Sequence, residues 1–294
     1  MRSVYDAVGR EIQRLPQAET VSGVTSLDNH LYMLRGSKTS EQVEVYNIDS
    51  YRLQRYLTVP RLGTAYDIVA CAHNRCAYIS DSSHKSIHKI ALSGDTLASG
   101  FRRWTRPRCP GVTHWPVNDK PLGLSLSLTH GVLVTCFEVR KIKEFSTDGQ
   151  LLHEVALPDD VVSPFHSVQL SSGEFIVCHG DVNNPLHRVC LISSDGHVVK
   201  SFGAPKGSSG QQMNVPIHLA VDKNEFVFVA DSNNRRVLLL SPSLTFVRQV
   251  VSSEQLTWRP RRIHLDVTRQ CFYVAHNEYK DSKFTAGQVV VFSV

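Results

Sequence analysis

No apolar run of the sequence approaches the roughly 18 residues that a membrane-spanning helix needs, so no membrane partner is expected. The opening stretch, MRSVYDAVGREIQRLPQ, carries charges where a secretory signal needs an apolar segment, which argues against export. The cysteines Cys71, Cys76, Cys109, Cys136, Cys178, Cys190 and Cys271 number seven and show no CxxC spacing. An odd, scattered set excludes a disulfide framework and a cysteine zinc site, and points to a reducing, cytoplasmic setting. GxSxG, HExxH, GxGxxG and P-loop patterns are all missing, so no enzyme activity is expected and no cofactor is implied. No low-complexity stretch divides the 294 residues into domains. Lysine and arginine exceed aspartate and glutamate by only 32 to 27, short of the balance of a dedicated nucleic-acid binder.

What is present is a pattern of short apolar runs. Residues 215–251 contain four of them, at 217–221, 226–230, 237–240 and 246–251. Asp222-Lys223-Asn224, Ser232-Asn233-Asn234 and Ser241-Pro242-Ser243 punctuate them. Runs this short, rich in β-branched residues and bounded by turn residues, read as strands of one antiparallel meander. A single meander is marginal in water and needs neighbours. Related runs recur as LYMLR, CAYISD, GVLVTC, EFIVCH, EFVFVAD and CFYVAH, ending at Arg35, Asp81, Cys136, His179, Asp231 and His276. Spacings of 43 to 55 residues fall in the range of propellers and solenoids. The expected fold is all-β, a six-bladed β-propeller of four-stranded antiparallel blades at about 21–58, 65–104, 121–157, 164–203, 215–251 and 259–294.

Residues 215–241, with PIHLAVD followed by VFVADSNNRRV, resemble an NHL repeat, and no GH…WD signature of the WD40 type is present. NHL repeats are the blades of tripartite-motif (TRIM) NHL proteins and of the peptidyl-hydroxyglycine amidating lyase. The resemblance is clearest in the fifth unit and extends along the chain. It implies a binding platform, the substrate-recognition part of a ubiquitin-ligase-type family. The RING, B-box and coiled-coil arm of that family is not in this sequence, and a longer parent chain is left open.

The sixth unit ends after its third strand, while residues 9–15 look like a spare outer strand. The two are expected to pair and close the ring, joining the ends and removing an open edge. The longest connection is 102–120, with a shorter one at 277–287 inside the sixth unit. Arg235, in NNRRV, is expected to bridge blades, while Asp81 and Asp231 build turns.

Innermost propeller strands line a channel. Two residues past the proline, blades four, five and six carry His166, His218 and Arg262; the counterparts in blades two, three and one are Asp67, Gly123 and Gly23. His166, His218, Arg262 and Asp67 are therefore candidates for one polar collar at the channel mouth, able to hold a small anion or a metal. The ordinary role of such residues is bonding to neighbouring blades, and no metal is expected. In the amidating lyase the zinc histidine follows the proline directly; here Phe165 and Ile217 do, and one residue turns a strand side chain to the other face. His264 is expected to face the core.

Arginine beside an aromatic can stack single-stranded bases and grip phosphate. The candidates are Arg102, Arg103, Trp104, Arg106, Arg108 and Trp115 in one cluster, and Trp258, Arg259 and Arg261 in another. Three functions follow: a non-enzymatic platform for a protein or peptide partner, single-stranded RNA binding, or a channel-mouth enzyme. The first is favoured, and nothing in the sequence fixes the oligomeric state or the partner.

Overall fold

The computed structural model describes residues 9–36, 42–92 and 111–293. Its strands in chain order begin with β1 (Glu11–Arg14). Blade one comprises β2 (Val21–Leu27), β3 (His30–Arg35), β4 (Gln42–Asn47) and β5 (Leu53–Thr58). Blade two is β6 (Ala65–Cys71), β7 (Cys76–Asp81), β8 (Ser86–Ala91) and β9 (Val112–Pro116). Blade three is β10 (Pro121–Leu126), β11 (Val132–Cys136), β12 (Lys141–Phe145) and β13 (Leu151–Ala156). Blade four is β14 (Pro164–Gln169), β15 (Phe175–His179), β16 (Leu186–Ile192) and β17 (Val198–Pro205). Blade five is β18 (Pro216–Val221), β19 (Val227–Asp231), β20 (Arg236–Leu240) and β21 (Phe246–Val251). Blade six is β22 (Arg259–Asp266), β23 (Cys271–Lys280) and β24 (Lys283–Ser293), with β1 as its fourth strand. The innermost strands touch in cyclic order, β22 meeting β2, so six antiparallel blades close a ring. Among the described residues no helix is long and apolar enough to cross a membrane.

Each middle strand is walled in on both faces, which is why its sequence reads as a continuous apolar run. In β19, Val227 and Val229 face the blade-four side and Phe228 and Ala230 the blade-six side. This period of two divides the core into six apolar clusters, one in each seam between adjacent blades. The six described cysteines are all buried and unpaired, as small hydrophobes of the strands. Cys109 lies outside the described residues.

The ring closes as the mismatch of ends implied. Glu11 pairs with Phe292 and Arg14 with Val290, and Leu15 N–H donates to Val289 O at 2.9 Å. Leu15 is fully buried in the seam between blades six and one, against the cluster of Tyr273, Val289 and Val291. Leu15→Ala is expected to cost about 3 kcal/mol, from lost transfer energy and the cavity left behind. Ile12→Ala, an exposed change on the same strand, should cost under about 0.5 kcal/mol. Urea titrations of the two variants check the difference; equal values would mean the strand does not seal the ring.

Three expectations need correction. The stretch taken as a connection at 102–120 contains the outer strand of blade two, Val112–Pro116, so that blade extends past residue 104. Its exposed, proline-ended sequence hid it. The stretch 277–287 is not a loop: β23 and β24 run on as a hairpin with Tyr279 opposite Phe284 and Lys280 opposite Lys283. Arg235 takes the left-handed turn position with φ 50°, and the bridging falls to Arg236, which bonds Asp231 Oδ2 at 2.7 Å and the carbonyls of Ser208 and Gln212.

Candidate functional site

Every innermost strand is bulged near its start. Register breaks lie between Val21 and Gly23, Ala65 and Asp67, Pro121 and Leu124, Pro164 and His166, Pro216 and His218, and Pro260 and Arg262. A bulge inserts one residue and re-aims the next side chain. Repeated six times, it collects the six equivalent positions into one collar. Two of them must be glycine. A Cβ on Gly123 would sit 2.4 Å from the His166 ring and 2.6 Å from Phe165 O, and one on Gly23 would sit 2.7 Å from Ile68 Cγ2.

The structure brings His166, His218, Arg262 and Asp67 together, and it buries all four. Arg262 Nε donates to Asp67 Oδ1 at 3.0 Å, and its Nη2 bonds Tyr66 O. With glycine at position 23 the guanidinium reaches past blade one to blade two. Asp67 also accepts the backbone N–H groups of Ile68 and Leu124, both at 3.0 Å, and His218 Nε2 lies 3.4 Å from Oδ2. The His166 and His218 rings stack at 3.9 Å. Burial pushes the Asp67 carboxyl up, but Arg262, then His218 and His166, outweigh it and hold the carboxyl well below the usual range. Burial, and then His218, lower His166 to about 3; burial lowers His218 as well, against the pull of Asp67.

Asp67, His166 and His218 hold potential ligand atoms within 4.8 Å of one another. The proton positions oppose a cation there. His166 Nδ1 accepts from Leu219 N–H and His218 Nδ1 from Ile263 N–H, both at 3.4 Å. Each Nε2 therefore carries the hydrogen, and His166 Nε2 donates it to Leu124 O at 3.0 Å. A ligating histidine needs the reverse arrangement, with the far nitrogen donating. Arg262 already sits on the carboxylate. The donor set does not fit a metal, and the collar bonds blade to blade instead.

The remaining candidates disperse. Arg102, Arg103, Trp104, Arg106 and Arg108 lie outside the described residues. Trp115 is 7% exposed in the seam between blades two and three, so it is core and not a stacking surface. Trp258 is half-buried against His276, with ring centroids 5.4 Å apart. Arg259 lies over Tyr279 and Arg261 over Phe284, each at 4.4 Å. Those two aromatics were missed in the sequence; the signal was an aromatic on either side of the Asp281-Ser282 turn. His264 does not face the core: one bulge and two residues on, it shares the channel side with Arg262, and its Nε2 meets Ser26 Oγ at 2.8 Å. Cys178 is core, and His179 stands in the turn-aspartate position, accepting from Arg188 Nε at 3.3 Å.

Neither a family model nor a curated protein matches the sequence. Solved structures do. A streptogramin B lyase aligns with TM-score 0.63 and 11% identity over 96% of this chain and 88% of that one. Virginiamycin B lyase from Staphylococcus aureus aligns with TM-score 0.62 and 10% identity over 95% and 99%. A chain of a nidogen–laminin complex aligns with TM-score 0.61 and 13% identity over 84% and 85%. At such identities the likeness is one of fold, a propeller shared by enzymes and by a protein of a binding complex.

Proposed function

We propose that the chain is a non-catalytic propeller of the NHL type that holds a protein or peptide partner on the face where its innermost strands begin. The observation that carries this reading is the blade-six hairpin. Strands β23 and β24 run past β22, so their tip stands out from that face beside the channel. Tyr279, 43% exposed, packs edge-on against Phe284 at 5.1 Å and lies under Arg259. Arginine and tyrosine held rigidly together are the residues that anchor protein interfaces. Support against catalysis comes from the collar, whose polar groups are committed to one another and to backbone. Arg259 and Arg261, the arginines of the RNA candidates that lie among the described residues, are stacked on the chain's own aromatics, which favours a protein partner over RNA bases.

The test is affinity capture from native lysate, split and treated with RNase. Partners should persist after RNase and fall at least tenfold with Arg259→Ala/Tyr279→Ala. Leu128→Ala, an exposed change at the other end of the innermost strands, should leave them unchanged. Partners lost with RNase would replace the reading with RNA binding through the 102–108 arginines.

A further inference from the structure

Among the described residues, blade two lacks a strut that blades four and five possess. In blade five Arg236 stands opposite Asp231 and ties it to the preceding loop; in blade four Arg188 stands opposite His179 and reaches Asp160 at 2.6 Å. In blade two the residue opposite Asp81 is Ser86. Its short side chain leaves an open cleft of about 350 Å³ lined by Arg61, His84, Ser86, His88, His114 and Pro116.

The floor of the cleft is a fixed carboxylate. Asp81 is fully buried and accepts the N–H of Gly63 at 2.7 Å and those of Ser83 and His84 at 3.1 Å. His84 Nδ1 donates to Asp81 Oδ2 at 2.8 Å, so its Nε2 carries the lone pair and points away on a side chain 60% exposed. A carboxylate behind one imidazole nitrogen, with the other nitrogen turned outward, is how protein metal sites orient and strengthen a histidine ligand. His88 is the second imidazole. It is 2% exposed, its Nε2 is 3.4 Å from the same carboxylate oxygen, and neither ring nitrogen makes a hydrogen bond among the described residues. A buried ring that makes no hydrogen bond, with a carboxylate beside one nitrogen, on the wall of a cleft, can take a ligand on the other. His114, directly across the strand pair, is exposed and stacks on His88 at 5.6 Å.

We propose that His84, His88 and His114 form a site for a divalent transition metal of the zinc class, with Asp81 behind the ligands. His88 is fixed; the exposed His84, pivoting on its bond to Asp81, and the exposed His114 turn onto it, and the fourth position is taken by water or an anion beside Arg61. Three neutral imidazoles with an open fourth position suit zinc, nickel or copper and not magnesium or calcium. The collar of the channel is a separate group of residues and takes no part.

The experiment titrates the chelator-stripped chain with zinc chloride, read by calorimetry and by metal content after gel filtration. One zinc per chain is expected. His84→Gln/His114→Gln, two surface changes that leave the core intact, should abolish it, and His88→Gln should weaken it at least tenfold. Asp81→Asn should weaken it about 10- to 100-fold. His218→Gln should bind as the unaltered chain does. Binding of no zinc, binding that survives the double variant, or binding lost in His218→Gln would each overturn the proposal. So would stoichiometric uptake of inorganic phosphate by a cleft that refuses zinc.

Discussion

Replacing Arg262 by alanine is expected to lower stability by about 3–5 kcal/mol, the cost of leaving a buried carboxylate without its partner. Asp67 has no route to water: it is sealed beneath His166, His218 and the backbone of blades two and three. Its remaining partners are N–H donors, and none carries the full charge of the guanidinium. Removing Arg262 also frees Tyr66 O and the space over the Tyr66 ring, 4.4 Å from the guanidinium carbon. Arg262→Lys should recover only part of the loss, since an ammonium cannot serve Asp67 and Tyr66 O with one planar fork. Asp67→Asn should also destabilise, because its amide NH₂ must face Arg262 or the Leu124 N–H, both donors. Urea unfolding gives the answer as a fall in midpoint at constant slope. Arg262→Ala within 1 kcal/mol of the parent would mean that the collar does not join the blades.

Acid should unfold the chain well above the pH at which its carboxylates titrate. Burial lowers His166 to about 3 and His179, His264 and His276 to about 4, from an ordinary 6.5. Below pH 6.5 the unfolded chain takes up protons at these positions and the folded chain does not. Their contribution is therefore complete above pH 6.5 and falls as pH drops toward 4. At pH 5.5 each histidine costs between about 1 and 2 kcal/mol, so the four together cost about 6 kcal/mol, comparable to the whole stability of many domains. Asp67 and Asp81 change in the same direction but in a lower window. Their depressed carboxyls contribute fully above the ordinary carboxylate value and lose that only at lower pH, so they do not soften the loss between 6.5 and 4. Circular dichroism across this window should show a cooperative transition, and stability unchanged from pH 7 to pH 5 would contradict the buried neutral state of these rings.

The blade count was readable because each middle strand is covered on both faces and has to be apolar throughout, as in VFVAD and VLVTC. Outer strands lack that constraint. Val112–Pro116 is exposed at Thr113, His114 and Pro116, buried only at Trp115, and ends in proline, so it passed for loop. The collar was legible as a set of equivalent positions after a proline, but not its closure: that depends on glycine at 23 and 123 letting neighbouring strands approach, and on the reach of Arg262 across blade one. His264 was misassigned because strand alternation was counted through the bulge instead of from it. The blade-two histidines were invisible for another reason: His84 lies in the turn before β8 and His88 within β8, His114 comes 26 residues later, and only the pairing of β8 with β9 makes them neighbours.

The pairing of Glu11 with Phe292 sets an order of events during synthesis. At 5–20 residues per second, about 280 residues separate the emergence of the two partners by roughly a quarter of a minute to a minute. Through that interval five sheets can assemble on the ribosome in sequence, while Leu15 waits uncovered for a seat that does not yet exist. A nascent propeller of this kind is an open arc with a greasy end at each side, and the arrival of β24 is what lets it become a circle.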